Sequence, residues 1–482
     1  MKICLALFLK NENPNILSWI SWHLAIGIDK FFIYDDHSTD GTYEILKTVS
    51  NIYNIEIELT NPANMPYFYD RQANAFEDAC RKALDQEYDW IGFLDADEYV
   101  SLEHDLSIQD FLEKFSNYNG VSLNWRIYGN SDRVLKSKIP TYEAYTKHCD
   151  KNFSDTLLTK CFIRPKDYSF EYTNPHHFKT VPQNYANAYG ESIQDKRADS
   201  DTVIWNNACI NHYINRSMED YIIRIQNRLN TDLINSEGRW KHFNRNDIEH
   251  QERKDFIKKA NEILVTLKQE CVYRYIFEIT GSFNKKKSNN KQTSCFSLCS
   301  TKERYLALHM REGYLFNFED IQNMIPIYGI IYNHKPNLIY LFYKESNSIS
   351  TIPFIIKFLN KFSSTYQFSI QPVNDTPYYS LQTPYSKKFM SLNPESGFFG
   401  DVDANRNICK EWEYLQLKSK DLEINFNVSP DSVHDLYSFY NYLYQNSEDI
   451  TYADFILAYN LLSKKEQSKI HIQNVGKIIS WL

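Results

Sequence analysis

Two aspartates one residue apart, Asp95 and Asp97, follow an apolar run, Trp90-Ile91-Gly92-Phe93-Leu94, and Glu98 comes next. A run this short and apolar is that of a buried strand, and its acids fall at the rim of a sheet. In open α/β sheets ligands bind at the carboxyl ends of strands, where these acids arrive. An Asp-x-Asp turn offers hard oxygen ligands to one divalent cation, which can also hold a diphosphate. An isolated Asp pair is as well explained as a cap or a solvated turn. Here other charges recur at comparable places. The run Ile3–Leu9 ends at Lys10-Asn11-Glu12, and Phe31–Tyr34 ends at Asp35-Asp36, whose carboxylates suit a base or ribose. Arg71 opens the helix before the acid-bearing strand, placed to reach a phosphate. The plainer alternatives are that Asp35 and Asp36 hold a turn and that Arg71 pairs with Asp70 or Glu77.

These residues need elements to position them. Ile16, Trp19, Ile20, His23 and Leu24 recur at helical spacing and Gly27 closes that helix. Further helices are predicted from about Thr42 and over about Arg71–Leu84, with a strand at Ile55–Leu59 between them. This alternation predicts a parallel, nucleotide-binding α/β sheet. Val121–Tyr128 and Leu158–Arg164 read as later strands. Ser217 with Asp220 resembles a capping box for a helix to about Leu229, and a long polar helix is expected over Asp247–Lys268. The division expected is 1–270 for the first domain, 271–300 as linker and 301–482 for a second, mixed α/β domain. There, Leu338–Tyr343 reads as a strand and Ile352–Phe362 as a helix. Asp401-Val402-Asp403 lacks a strand delivering it and reads as a solvated loop.

At 482 residues, with 24% charged and 43% hydrophobic, the chain is an ordinary globular one of two or three domains. Its net charge of −8 and the absence of a basic stripe argue against nucleic-acid binding; Lys285-Lys286-Lys287 with Lys291 reads as a solvated loop. Nine cysteines without paired spacing suggest reduced thiols and a cytoplasmic protein. No stretch approaches the roughly 20 apolar residues of a membrane span. The stretch Ile470–Leu482 mixes Lys with Ile, Trp and Leu; a packed terminal helix explains it better than contact with a membrane surface, although the latter would place the protein at the inner face of the membrane.

Several blocks, taken in order, resemble one known family. They are Phe8-Leu9-Lys10-Asn11-Glu12, Trp19-Ile20-Ser21-Trp22-His23, Tyr34-Asp35-Asp36-His37-Ser38-Thr39-Asp40-Gly41-Thr42 and Phe93-Leu94-Asp95-Ala96-Asp97-Glu98-Tyr99. Asn124-Trp125-Arg126-Ile127-Tyr128, Asn174-Pro175-His176-His177-Phe178 and Asn211-His212-Tyr213 continue the series. Together, over about residues 1–235, they look like the family-2-like bacterial glycosyltransferases of capsule and lipopolysaccharide synthesis, related to glycosyltransferase family 92. The resemblance implies a GT-A nucleotide-diphospho-sugar transferase domain, built on a Rossmann-like sheet. It also implies a nucleotide-sugar donor, first a UDP-sugar, a divalent cation (Mn2+ or Mg2+), and an oligosaccharide or lipid-linked glycan acceptor.

By that resemblance Asp95 and Asp97 meet the metal–diphosphate, with Asp97 the direct ligand, and Lys10, Glu12, Asp35 and Asp36 face the nucleoside. A later histidine supplies a further metal ligand: His212 by order, with His177 as competitor. Neighbours on a strand point to opposite faces, so if this segment is extended His176 and His177 cannot both enter one site. An inverting transfer also needs a carboxylate base, for which Glu143, then Asp155, then Glu98 are candidates. The chain departs from the family at Asn130-Ser131-Asp132, where relatives often carry Gly last, and at His37. A sugar nucleotidyltransferase is a competing reading, but Lys10-Asn11-Glu12-Asn13-Pro14 is not a Gly- and Lys/Arg-rich triphosphate loop. A non-catalytic sugar-nucleotide-binding protein is the other, and the paired Asp95 and Asp97 count against it.

Overall fold

A computed structural model describes residues 1–13, 15–137, 139–193, 198–226, 236–283, 293–308, 315–321, 324–345, 348–349, 355–358, 361–364, 366–393 and 399–482. The chain divides into two compact units, residues 1–268 with 481 and residues 269–480 with 482.

The first unit opens with β1 (Ile3–Leu9), α1 (Asn15–Ile26), β2 (Lys30–Asp35), α2 (Thr42–Val49), β3 (Ile55–Leu59), α3 (Phe68–Asp85) and β4 (Trp90–Leu94). It continues through β5 (Glu98–Leu102), α4 (Ile108–Glu113), β6 (Gly120–Ile127), α5 (Thr141–Ala144), β7 (Lys147–His148) and β8 (Thr159–Ile163). Next come β9 (Tyr168–Asn174), β10 (His177–Thr180), β11 (Tyr185–Ala186), β12 (Ser192–Ile193) and β13 (Ala208–His212). Then follow α6 (Met218–Gln226), α7 (Ser236–Phe243), β14 (Ile248–Glu249) and α8 (Lys254–Thr280), whose residues to 268 close the first unit and whose remainder opens the second.

The strands run β12-β11-β6-β8-β4-β1-β2-β3, with β13 joining β6 to β5. β3, β2, β1 and β4 are mutually parallel, so their carboxyl ends share one rim. β8 is antiparallel to both β4 and β6. β1 and β4 are buried at every position, as strands covered on both faces must be. On one face α3 lays Ala75, Phe76, Ala79, Cys80 and Ala83, an i, i+1, i+4 stripe, over Cys4, Ala6, Ile91 and Phe93.

Among the described residues β5 pairs with one strand, β13, and α1 supplies the other edge through side chains. The Trp19 indole N–H donates to the Glu98 carbonyl at 2.8 Å and that of Trp22 to the Val100 carbonyl at 2.7 Å. His23 donates from Nδ1 to the Trp19 carbonyl and accepts the Val100 N–H at Nε2. Burial pushes its pKa down to about 3, so it packs as a neutral core residue. Asp40 accepts from Thr42, and Ser217 and Asp220 cap α6 reciprocally. The remainder of the helix expected to Leu229 lies outside the described residues, as does the Lys285–Lys291 cluster.

The fold class expected from the sequence is the one adopted: a Rossmann-like α/β sheet followed by a second, sheet-rich unit. Three local expectations change. Residues 271–300, read as a linker, belong at their two ends to α8 and to the strand Thr293–Ser300. The helix expected over Asp247–Lys268 starts at Lys254 and runs on to Thr280, because residues 248–249 pair with β7 instead. Ile352–Phe362, read as a helix, holds the strand Ile355–Phe358, paired with Lys361–Ser364. Here β-branched and aromatic residues outvote an apparent helical period. Both lie in a 13-stranded sheet whose core includes Leu298, Leu308, Ile327, Ile339 and Leu341. In the terminal stretch, Ile470 and Ile479 are fully buried, so it packs rather than presenting an apolar face.

Candidate active site

Parallel pairing gathers the sequence-separated acids. Leu9 lies opposite Asp35 and Leu7 opposite Leu94, so Lys10-Asn11-Glu12, Asp35-Asp36 and Asp95-Ala96-Asp97 emerge side by side. The chain then turns into β5, whose Glu98 lies opposite His212 of β13. That register, and not proximity in sequence, brings His212 to Asp97, with Nε2 3.4 Å from Oδ1.

Where β2 ends on this rim, Asp36 and Arg71 engage each other. Arg71 Nε and Nη2 donate to the two Asp36 oxygens at 2.6 and 2.7 Å, and Nη1 donates to the Met65 and Pro66 carbonyls. Thr60 donates to Asp36 as well. Burial alone would raise the Asp36 pKa, but these bonds outweigh it and hold the carboxyl below its usual range. Arg71, expected on a phosphate or in a helix-surface pair, thus braces the rim by a buried bidentate clamp. Asp35 differs: one oxygen accepts the Ser38 N–H at 2.7 Å, and Oδ2 is buried without a hydrogen-bond partner. Burial pushes its pKa up. A buried acceptor left open on this rim is what a ribose or base donor would satisfy. Lys10 is exposed beside it.

At the acid turn, Asp97 sits among cations. Arg224 Nη1 donates to Oδ2 at 2.9 Å, and Arg216 bridges Glu12 (3.1 Å) and the Ala96 carbonyl (3.0 Å). Burial works against ionisation, yet Arg224, His212 and Arg216 hold the Asp97 carboxyl well below its usual range. Glu12 is the reverse case, with burial raising its pKa against the pull of Arg216. Lys160, wholly buried in β8, donates to Asp95 at 2.9 Å and lies 3.2 Å from Glu98. Burial pushes Glu98 up to about 7 against the pull of Lys160. Trp125 packs beside both His212 and His176, at ring separations of 4.2 and 5.1 Å, and its buried indole N–H has no partner.

Among the described residues no group of three or more His, Cys, Asp and Glu is arranged to hold a metal ion. The donor chemistry of Asp97 with His212, a carboxylate oxygen beside an imidazole nitrogen, does suit a cation that completes its shell with diphosphate oxygens. His177 takes no part in that pair: its ring lies 5.2 Å from Tyr185, while His176, in the turn just before β10, packs against Trp125. Burial, reinforced by Lys160, pushes His176 down to about 4. The other carboxylates proposed as bases make their contacts elsewhere. Glu143 accepts from Asn261 of α8 at 2.7 Å, and Asp155 pairs with His242 at 3.0 Å.

A family model described as glycosyltransferase family 92 matches residues 1–256. The chain belongs to that family. A family 92 protein of rice, Oryza sativa subsp. japonica, is 31% identical over 115 residues, 24% of this chain and 18% of its own length. One of Arabidopsis thaliana is 30% identical over 99 residues, 20% of this chain and 16% of its own. The chain therefore matches about a fifth or less of these relatives' length. Among solved structures, Staphylococcus aureus TarS residues 1–349 aligns with 61% of this chain and 77% of its own, at 13% identity and a TM-score of 0.25. The same fragment in complex with UDP aligns with 65% and 98%, again at 13% and 0.25.

Both departures from the family blocks fall where the backbone is left-handed, with φ of 60° at Asp132 and 59° at His37. Gly would adopt that conformation freely; Asp132 does so with its carboxylate paired to Lys147 at 2.6 Å. The family blocks did not mark Lys160, Arg216 or Arg224. Lys160 carried one signal, a lone charge inside the apolar strand Thr159–Ile163. Arg224 carried none, since it meets Asp97 from 127 residues away.

Proposed function

We propose that this family 92 chain transfers a sugar from a nucleotide-sugar donor, a UDP-sugar first, to a surface-glycan acceptor, with inversion. The observation that carries the reading is the convergence of Asp35, Glu12, Asp97 and His212 on one rim. In the reaction the bond from the anomeric carbon to the diphosphate oxygen breaks as a bond to an acceptor hydroxyl oxygen forms. The hydroxyl proton passes to a base, and the negative charge grows on the departing nucleoside diphosphate.

Each residue has a task in that scheme. The open Oδ2 of Asp35 accepts from the nucleoside. Asp97 and His212 would hold the divalent cation, which when bound neutralises charge on the leaving diphosphate. Lys160 keeps Asp95 and Glu98 in place. Arg216 fixes the Asp turn by gripping the Ala96 carbonyl. Glu98 is too deeply buried to meet an acceptor hydroxyl. Asp155 and Glu143 remain as bases, to be separated by Asp155→Asn and Glu143→Gln.

The test is release of nucleoside phosphate from UDP-, GDP- and CMP-sugars, with Mn2+ and with chelator. One donor should turn over with the cation. Asp97→Asn should lower that rate about 10²–10³-fold, the usual cost of removing one charge-stabilising group. Failure of every donor to turn over, acceptor extracts included, would leave a sugar-nucleotide-binding protein instead.

A further inference from the structure

Arg71 and Arg224 answer carboxylates on the same rim in different ways. Arg71 gives Asp36 its side-on fork, Nε and Nη2, and nothing of that edge is left over. Arg224, on α6, meets Asp97 through one nitrogen: Nη1 donates to Asp97 Oδ2 at 2.9 Å and to the Ile214 carbonyl at 2.6 Å. Those two bonds use both hydrogens of Nη1 and anchor the guanidinium. Among the described residues, Nε and Nη2 of Arg224 have no hydrogen-bond partner. The Arg224 side chain is 34% exposed and that of Asp97 7%, so the arginine borders solvent while the carboxylate is nearly sealed.

The hold on Oδ2 leaves Asp97 Oδ1 on the His212 side. Arg216, the second arginine of the turn, is committed to Glu12 and the Ala96 carbonyl, and its Nε is buried with no partner. The acid turn thus carries more fixed cationic donors than its own acceptors use. An arginine needed only to neutralise Asp97 has no reason to withhold the edge that binds a carboxylate best. A free Nε–Nη2 edge presents two parallel N–H donors, the geometry that takes two oxygens of one phosphate.

We propose that Arg224 is a catalytic residue whose open fork takes the diphosphate of the donor and stabilises it as it leaves. The proposal rests on the reading of this rim as a nucleotide-sugar site. An oxyanion on the acceptor would fit the same fork. The diphosphate is favoured because Arg224 is tethered to Asp97, on the rim where Asp35 keeps an acceptor open. As the anomeric C–O bond breaks, its electron pair goes to the diphosphate oxygen and the acceptor proton goes to the base. Arg224 stays protonated throughout and gives hydrogen bonds only.

The discriminating measurement is calorimetric titration of the full-length protein with uridine, UDP, guanosine and GDP, at one fixed Mn2+ concentration. Wild type should bind one diphosphate more tightly than its nucleoside. Arg224→Ala should lose about 10–100-fold of diphosphate affinity, the usual worth of bonds to a charged group, with nucleoside affinity unchanged. Its kcat with the sugar donor should fall about 10²–10³-fold. Arg224→Lys keeps a charge beside Asp97 without the fork, so it should recover only part of either loss.

Diphosphate affinity unchanged in Arg224→Ala overturns the proposal, whether or not the acceptor KM rises. Nucleoside and diphosphate affinities falling together in Arg224→Lys also overturn it, since the arginine then only braces the turn. In both cases wild-type binding leaves the nucleotide reading standing. If wild type binds none of the four probes, that reading fails and the proposal with it.

Discussion

The Asp36 carboxylate is nearly sealed from solvent and depends on Arg71, itself largely buried, for its countercharge. Removing one partner of a buried pair leaves the other uncompensated, so Arg71→Ala should cost about 3–5 kcal/mol in denaturant unfolding. The pH dependence has a definite sign. Asp36 titrates lower in the folded state than unfolded, so its contribution is present above the unfolded carboxylate pKa, about 3.9, and is lost as pH falls through the folded one. The gap between wild type and Arg71→Ala should therefore be full at neutral pH and narrow below about pH 4, which unfolding midpoints across that range will check. Asp35 makes the contrasting prediction. On the proposed function its open oxygen serves the nucleotide and holds no other element, so Asp35→Asn should weaken nucleotide binding while leaving the unfolding midpoint near wild type.

Strands deliver these residues only if their packing holds. Gly92, in the middle of β4, has no room for a side chain: an added Cβ would lie 2.6 Å from the Phe162 ring and 2.7 Å from Leu5. Gly92→Ala should thus push β4 off its neighbours, at about 1–3 kcal/mol of stability, with the Asp95–Asp97 turn displaced and donor turnover falling in parallel. A second brace stands at the entry to α8. Glu252, fully buried, takes Arg126 of β6 at 3.0 Å, Ser101 of β5 at 2.9 Å and Asn211 of β13. It ties together the three strands that set His212 against Glu98. Glu252→Ala should cost about 3–5 kcal/mol, measured by chemical denaturation, since it removes the buried one of the two carboxylates that pair with the buried Arg126, leaving the partly exposed Glu103.

All the residues given a chemical role lie in the first unit. The acids of Asp401-Val402-Asp403 sit instead on an inner strand of the second sheet, with Asp401 exposed and Val402 buried. Asp401→Asn should accordingly leave donor turnover unchanged, measured beside Asp97→Asn. What the sequence by itself determined is local and periodic. Apolar runs of strand length, the helical stripes of α1 and α3, and acids placed just beyond strand ends made the parallel sheet and its rim legible, since burial on both faces leaves an uninterrupted apolar signature. Tertiary structure alone decided which charged residues meet. Arg71 found Asp36 across the rim, because a helix start and a strand end become neighbours only once the sheet has formed. Lys160 and Arg224 reached Asp95 and Asp97 from distant elements, and strand register selected His212 over His177 as the partner of Asp97. Pairing of charges in space follows from register and packing, which no local spacing encodes.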